Sequence, residues 1–108
     1  MTAPTPRWGE LWVATTQEGK RRPVIILTRN PMGELLSSVI VAPVTSTIRD
    51  IPVEVRLGPE HGLAKPSAAN LDSTTNIPRN ALHRRIRRLD DNTMRLVCEA
   101  LAFAVDCA

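Results

Sequence analysis

The chain has 108 residues, with 14 Lys and Arg against 11 Asp and Glu and a formal net charge of +3 at pH 7, a size that supports one domain with one core and not two. Its 43% hydrophobic and 23% charged residues are those of a globular chain, and Trp8, Trp12 and Phe103 are its only aromatics, too few for a module that holds single strands by stacking bases on an aromatic platform. The basic set is twelve Arg and two Lys, a bias that suits phosphate through the planar guanidinium and that a GC-rich genome produces equally well.

Residues 1–6 read as a loose, polar, Pro-rich tail with no secretory signal, leaving 1–108 as a single domain. No run approaches the roughly 18 to 20 apolar residues that span a bilayer, so a cytoplasmic protein with no membrane partner is expected. Gly9 to Ala14 is a first strand, with Leu11 and Val13 on one face and Glu10 and Trp12 on the other. Thr15 to Arg21 is a polar loop with a Gly turn. Pro23-Val24-Ile25-Ile26-Leu27 has the build of a buried strand, and Pro23 biases Arg22 toward extended backbone at the strand mouth. Asn30-Pro31-Met32-Gly33 is a turn. A third strand runs from about Ser38 to Val44 and ends in Thr45-Ser46-Thr47. Ile51 to Leu57 is a fourth, with Pro52 marking its start, and Gly58 to Gly62 is a further turn. Short strands follow at Ala68–Leu71 and Ser73–Ile77, and Leu82 to Leu89 is the last. Asp90 or Asp91 caps a helix whose apolar stripe is Met94, Val97, Leu101, Ala104 and Val105. Many short strands and one terminal helix imply a mainly β, α+β fold, a small antiparallel barrel. On one helix Cys98 and Cys107 lie roughly 13 Å apart along the axis, too far for a disulfide, and read as free thiols.

If the second and third strands pair, Arg22 and Thr45 approach one rim, and a guanidinium beside hydroxyls on rigid strand ends is a candidate phosphate site. The plainer reading is a solvated strand edge beside a Thr-Ser-Thr turn. Neither a metal nor a cofactor is expected. The two His are His61 and His83, and there is no C-x-x-C, H-E-x-x-H, Walker A or G-x-G-x-x-G motif. The run Arg84-Arg85-Ile86-Arg87-Arg88 would place Arg84, Ile86 and Arg88 on one strand face and Arg85 and Arg87 on the other. It reads first as a charged edge that blocks strand pairing and second as a track for RNA phosphates.

Five stretches, in order along the chain, resemble one known family. Arg7-Trp8-Gly9-Glu10-Leu11-Trp12-Val13 is similar to an opening R-G-E-[IV]-[WY], and Arg21-Arg22-Pro23-Val24-Ile25-Ile26-Leu27 to R-P-V followed by three aliphatics. Val39 to Ser46 is similar to V-[IV]-V-[AV]-P-[IV]-T-S. Gly62-Leu63, Pro66-Ser67 and Leu71-Asp72 are similar to a G-L…S…D-Q region, and Ile86-x-x-Leu89 with Met94, Val97, Ala100 and Leu101 to a terminal segment. The chain thus resembles the MazF/PemK toxins of type II toxin–antitoxin modules, ribosome-independent endoribonucleases. The resemblance implies an SH3-like barrel of the CcdB/MazF type, working as a homodimer. It implies a toxin that cleaves single-stranded RNA and is neutralised by a cognate antitoxin with an acidic, partly disordered tail. It also implies that Arg22 and Thr45 are the catalytic pair. Glu18, the acid of the loop before Arg-Pro, matches an acidic residue that some members carry there and is the candidate general base; the alternative is a solvated loop carboxylate. The expected RNA-contacting set is Lys20, Arg21, Arg29, Ser46, Thr47 and Asp72, with Arg29 the preferred auxiliary phosphate contact, nearer the pair than the 84–88 run. The chain departs from the pattern at Asp72-Ser73, where the family commonly has Asp-Gln.

RNA cleavage suits such a site, because the substrate carries its own nucleophile in the 2′-OH. The protein must position it, remove its proton and stabilise charge on the phosphoryl oxygens. Arg22 is permanently cationic and bidentate, and Thr45 can donate from its hydroxyl. Two rivals stand beside this reading: a CcdB-like gyrase poison on the same barrel, and a non-catalytic RNA-binding barrel.

Overall fold

Residues 5–30 and 32–105 are described by the structure, a computed structural model. Seven strands form: β1 (Glu10–Thr15), β2 (Arg21–Ile26), β3 (Ser38–Thr45), β4 (Glu54–Leu57), β5 (Ser67–Asn70), β6 (Thr75–Pro78) and β7 (Leu82–Arg88). A short helix α1 (Met32–Leu35) precedes β3, and a longer one, α2 (Asp91–Val105), ends the described chain. All strand pairs are antiparallel, in the order β4-β5-β3-β2-β1-β7, with β6 also on β3.

Alternation along the strands supplies two apolar clusters, one on each face. Leu11, Ile25, Ala42 and Val44 point to the larger one, which α2 covers with Met94, Val97 and Ala100. Trp12, Ala14, Val24, Ile26, Val39 and Val41 point the other way and pack with Ile77 and Leu82. The Val24–Ile26 run is buried on both faces, which is why it reads as continuous apolar sequence.

The barrel is incomplete, because β4 and β7 do not pair. The turn after β4 packs against β7 in place of a ladder. Arg87 Nη1 donates to the Glu60 carbonyl at 2.8 Å. Gly62 has φ +90°, and a Cβ there would fall 2.9 Å from both Ile86 Cγ2 and Arg87 Nε. The turn needs a residue that has no side chain and accepts left-handed backbone.

Several boundaries differ from expectation for local reasons. Pro6, assigned to a loose tail, is fully buried; residues 1–4 lie outside the described residues. The expected turn at 30–33 instead starts the helical turn of α1, with Leu36 N donating to the Met32 carbonyl at 3.0 Å; Pro31 lies outside the described residues. Strand β4 starts at Glu54 rather than Ile51. Glu54 N donates to the Ile51 carbonyl at 2.9 Å, and the Glu54 carboxylate accepts from Arg49 N at 2.9 Å and Asp50 N at 3.1 Å, so 49–53 is a turn. Two register shifts in β1–β7 make bulges, so strict alternation fails. Arg85 lies opposite Trp12 and Arg88 opposite Glu10, on one face rather than two. In α2 the buried stripe is Thr93, Met94, Val97 and Ala100, with Leu101 half-buried and Val105 exposed. Asp90 caps the helix, accepting from Thr93 N at 2.7 Å. Cys98 is exposed, and Cys107 lies outside the described residues. Among the described residues no helix is long and apolar enough to cross a membrane.

Candidate active site

Two prolines decide where the sheet splits. Strands β2 and β3 pair at Ile26–Val41, Ile25–Ala42 and Val24–Pro43, and the ladder stops there. Neither Pro23 nor Pro43 has an N–H to give. Beyond that point β3 turns to β5, pairing Val44 with Ala69 and Thr45 with Ala68. Strand β2 stays with β1, where Ala14 faces Arg22 and Thr15 faces Arg21. Arg22 and Thr45 therefore stand on the two lips of the split.

A groove of about 400 Å³ opens at this point. Its floor is apolar, with Ala14, Val24, Val41 and Ile77 drawn from the second cluster. Its polar lining carries Glu18, Arg22, Thr45, Asn70, Ser73 and Thr75. The structure thus brings Arg22, Thr45 and Glu18 to one groove.

Each side chain is held differently. Arg22 is half-buried, and its Nε is buried with no hydrogen-bond partner. An unpaired buried donor costs about 1 to 3 kcal/mol, and more when charged, so a shift of the side chain that gives the guanidinium an acceptor is favoured. The Thr45 hydroxyl accepts from Thr47 N at 3.2 Å, which leaves its own O–H to donate. Glu18 is exposed in the β1–β2 turn. That turn is closed by Thr16 N donating to the Lys20 carbonyl at 2.8 Å and Gly19 N donating to the Thr16 carbonyl at 2.9 Å. Gly19 takes φ +79° there.

A second, smaller groove of about 250 Å³ lies on the other side of the same pair, and Arg22 and Thr45 line both. Arg21, Ser46 and Lys65 belong to this one. Lys20 is exposed in the turn beside Glu18, and Thr47 reaches the site only through its N–H to Thr45. Asp72 lines neither groove. It is exposed in the 3₁₀ turn Leu71–Ser73, its N–H donating to Asn70 Oδ1 at 3.0 Å. Asn70 and Ser73 take its expected place, tied by Asn70 Nδ2 donating to Ser73 Oγ at 3.0 Å. A three-residue turn repeats its face every third position, which is the signal that selects Asn70 and Ser73 over Asp72. Arg29 is not near the pair. It lies past the opposite end of β2, in a separate groove with Leu36 and Ile40.

Among the described residues, positive charge without a carboxylate partner is present at the same end of the molecule. Elsewhere arginines meet carboxylates: Arg49 with Glu54, Arg56 with Asp50, Arg85 with Glu10 and Arg95 with Glu99. Asp50 is held below its ordinary value by the Arg56 hydrogen bond. Burial raises the Glu54 carboxyl, but the Arg49 backbone and guanidinium outweigh it and lower it overall. Among the described residues Lys20, Arg21, Arg22 and Lys65 have no carboxylate partner. Arg29, Arg84 and Arg87 also lack one, but of these cations only Arg21, Arg22 and Lys65 line the grooves at the split, where an anionic strand would be attracted.

The profile of the PemK-like, MazF-like toxins of type II toxin–antitoxin systems matches residues 7–105. A curated protein of Mycobacterium tuberculosis named probable endoribonuclease MazF5 is 42% identical over 109 residues, covering 100% of this chain and 99% of its own. Endoribonuclease MazF3 of the same species is 39% identical over 90 residues, covering 83% of this chain and 87% of its own. Among solved structures, the M. tuberculosis toxin MazF-mt6 superposes with a TM-score of 0.86 at 35% identity, over 92% of this chain and 98% of that one. An endoribonuclease from a mycobacterial species, solved in complex with its cognate antitoxin, shares the fold with a TM-score of 0.85 at 23% identity, over 95% of this chain and 97% of that one. With the match running from Arg7 through β7 into the last turn of α2, this chain belongs to the PemK-like, MazF-like toxin family of type II toxin–antitoxin systems.

Proposed function

We propose that the chain is a toxin endoribonuclease that cleaves single-stranded RNA at the Arg22–Thr45 split. The carrying observation is that Arg22, whose buried Nε has no hydrogen-bond partner, lines one groove with Thr45. In this reading the 2′-oxygen attacks the adjacent phosphorus, the P–O5′ bond breaks, and a 2′,3′-cyclic phosphate and a 5′-OH result. Glu18 takes the 2′ proton, and the departing 5′-oxygen takes one from solvent in the open groove. Arg22 and Thr45 donate to the non-bridging oxygens as charge builds there. The named endoribonucleases among the relatives support this activity, whereas a gyrase poison would have no need of Arg22 and Thr45 together. In this reading the chain works as a homodimer in the cytoplasm, and a cognate antitoxin neutralises it by covering the groove; a mycobacterial endoribonuclease of the same fold has been solved with its own cognate antitoxin.

One oligonucleotide experiment tests the chemistry. Cleaved RNA should carry 2′,3′-cyclic phosphate and 5′-OH ends by mass spectrometry, with EDTA without effect. Deoxyribose at the single nucleotide 5′ to the scissile phosphate should stop cleavage and turn the strand into a competitive inhibitor. Arg22→Ala and Thr45→Ala should each lower kcat about a hundred- to a thousand-fold with an unchanged circular dichroism spectrum. Products with 5′-phosphate ends, or a folded Arg22→Ala protein of normal activity, would overturn the proposal.

A further inference from the structure

Arg22 and Thr45 line two grooves, and a catalytic role for the pair accounts for only one of them. The larger groove has an apolar floor and, besides Glu18 and Arg22, amide and hydroxyl groups in its wall, surroundings that suit a nucleoside. The smaller one differs in chemistry. It is flanked by Arg21 and Lys65, both exposed and both without a carboxylate partner among the described residues, with Ser46 between. The chain fixes Lys65 locally. Pro66 restricts the Lys65 backbone to extended conformations, and the Ser67 hydroxyl donates to the Lys65 carbonyl at 3.0 Å. Ser67 is itself buried in β5, opposite Leu57. Arg21 is fixed by its strand position opposite Thr15. Two cations on independent elements therefore face one cleft, with no acid to neutralise them.

We infer that the Arg21–Lys65 cleft is a phosphate subsite, which holds the backbone phosphate next to the one being cleaved. The RNA then passes the Arg22–Thr45 pair, with a nucleoside in the larger groove and the neighbouring phosphate in the smaller. This placement rests on the nuclease reading for what happens at the pair, but its binding consequence does not. A strand gripped on both sides of the reacting phosphate cannot slide during attack, so binding energy away from the reacting bond is turned into alignment. Lys65 acts here as a positioning residue.

The test is the salt dependence of binding to a ten-nucleotide mixed-sequence RNA pool, measured by fluorescence anisotropy. Each single-strand phosphate contact contributes a slope of about 0.7 in log K against log salt. Lys65→Ala should reduce the slope by about that amount, and Lys65→Arg should restore it. Arg95→Ala, which removes a helix charge already paired with Glu99, should leave slope and cleavage unchanged. In cleavage assays Lys65→Ala should raise KM more than it lowers kcat, and methylphosphonate at one phosphate flanking the scissile one should make wild type behave like the variant. An unchanged slope in folded Lys65→Ala and Arg21→Ala proteins would overturn the subsite. So would an unchanged slope with weakened capture of a deca-glutamate peptide, which would reassign the cleft to an acidic protein. If wild type binds RNA with the expected slope loss in Lys65→Ala yet cleaves nothing, the nuclease reading fails and the subsite stands.

Discussion

Glu10 is buried, yet three groups hold it in its charged form. Its carboxylate accepts from Arg7 N at 2.8 Å and from the Trp12 ring N–H at 3.0 Å, and it pairs with Arg85. Burial raises its carboxyl, but the Trp12, Arg7 and Arg85 interactions outweigh this and hold it below the ordinary 4.5. A carboxyl depressed on folding adds stability above its unfolded value and loses that contribution as pH falls through the folded value. The melting temperature should therefore drop on acidification below about pH 4, and Glu10→Gln should start lower at neutral pH and show a shallower acid limb. A thermal melt series in pH, wild type against Glu10→Gln, checks it; parallel acid limbs would count against the assignment. The sequence shows Glu10 and Trp12 as strand neighbours on one face, but Arg85 lies 75 residues away and nothing local points to it. Arg22 and Thr45 were legible because each ends an apolar strand. Asn70, Ser73 and Lys65 were not, because their proximity depends on β3 leaving β2 for β5. Arg29 misled for the opposite reason: closeness to Arg22 along an extended strand becomes distance across the molecule.

Element boundaries follow the same division. Strands with a continuous or alternating apolar pattern, β1, β2 and β3, lie within a residue or two of where the sequence implies. Stretches governed by side-chain-to-backbone bonds do not, and the Glu54 carboxylate that turns 49–53 is the clearest case. Bulges in β7 were hidden because an extra residue changes no composition. Two glycines give an element-scale prediction. Gly19 and Gly62 both have positive φ, but a Cβ at Gly19 meets nothing within 4 Å, whereas one at Gly62 meets β7. Each Ala substitution incurs left-handed strain of about 1 to 2 kcal/mol. Gly62→Ala should be the more destabilising in urea, since it also pushes the turn off the open edge of the barrel. Asp90→Ala should cost about 1 kcal/mol through the lost cap of α2.

At the scale of the whole molecule, a modest net charge hides a strong asymmetry. Carboxylates pair with Arg49, Arg56, Arg85 and Arg95, while Lys20, Arg21, Arg22 and Lys65 near the split have none among the described residues. Apolar groups are uneven too: Leu35, Leu36 and Ile40 are exposed together near the end of β2 remote from Arg22, Leu36 and Ile40 flanking the groove that holds Arg29. If this patch is the surface that joins two copies in the proposed homodimer, light scattering at micromolar concentration should give twice the chain mass, and Leu36→Glu should give one. A monomeric wild type would refute the assembly. The split itself bears on how such a protein is made. Its groove is walled by residues from Ala14 through Ile77, and Arg22 and Thr45 sit on different strands. No early fragment of the nascent chain carries an assembled groove. In the proposed role, the poison is inert until synthesis has passed Ile77, and only then is there anything for an antitoxin to restrain.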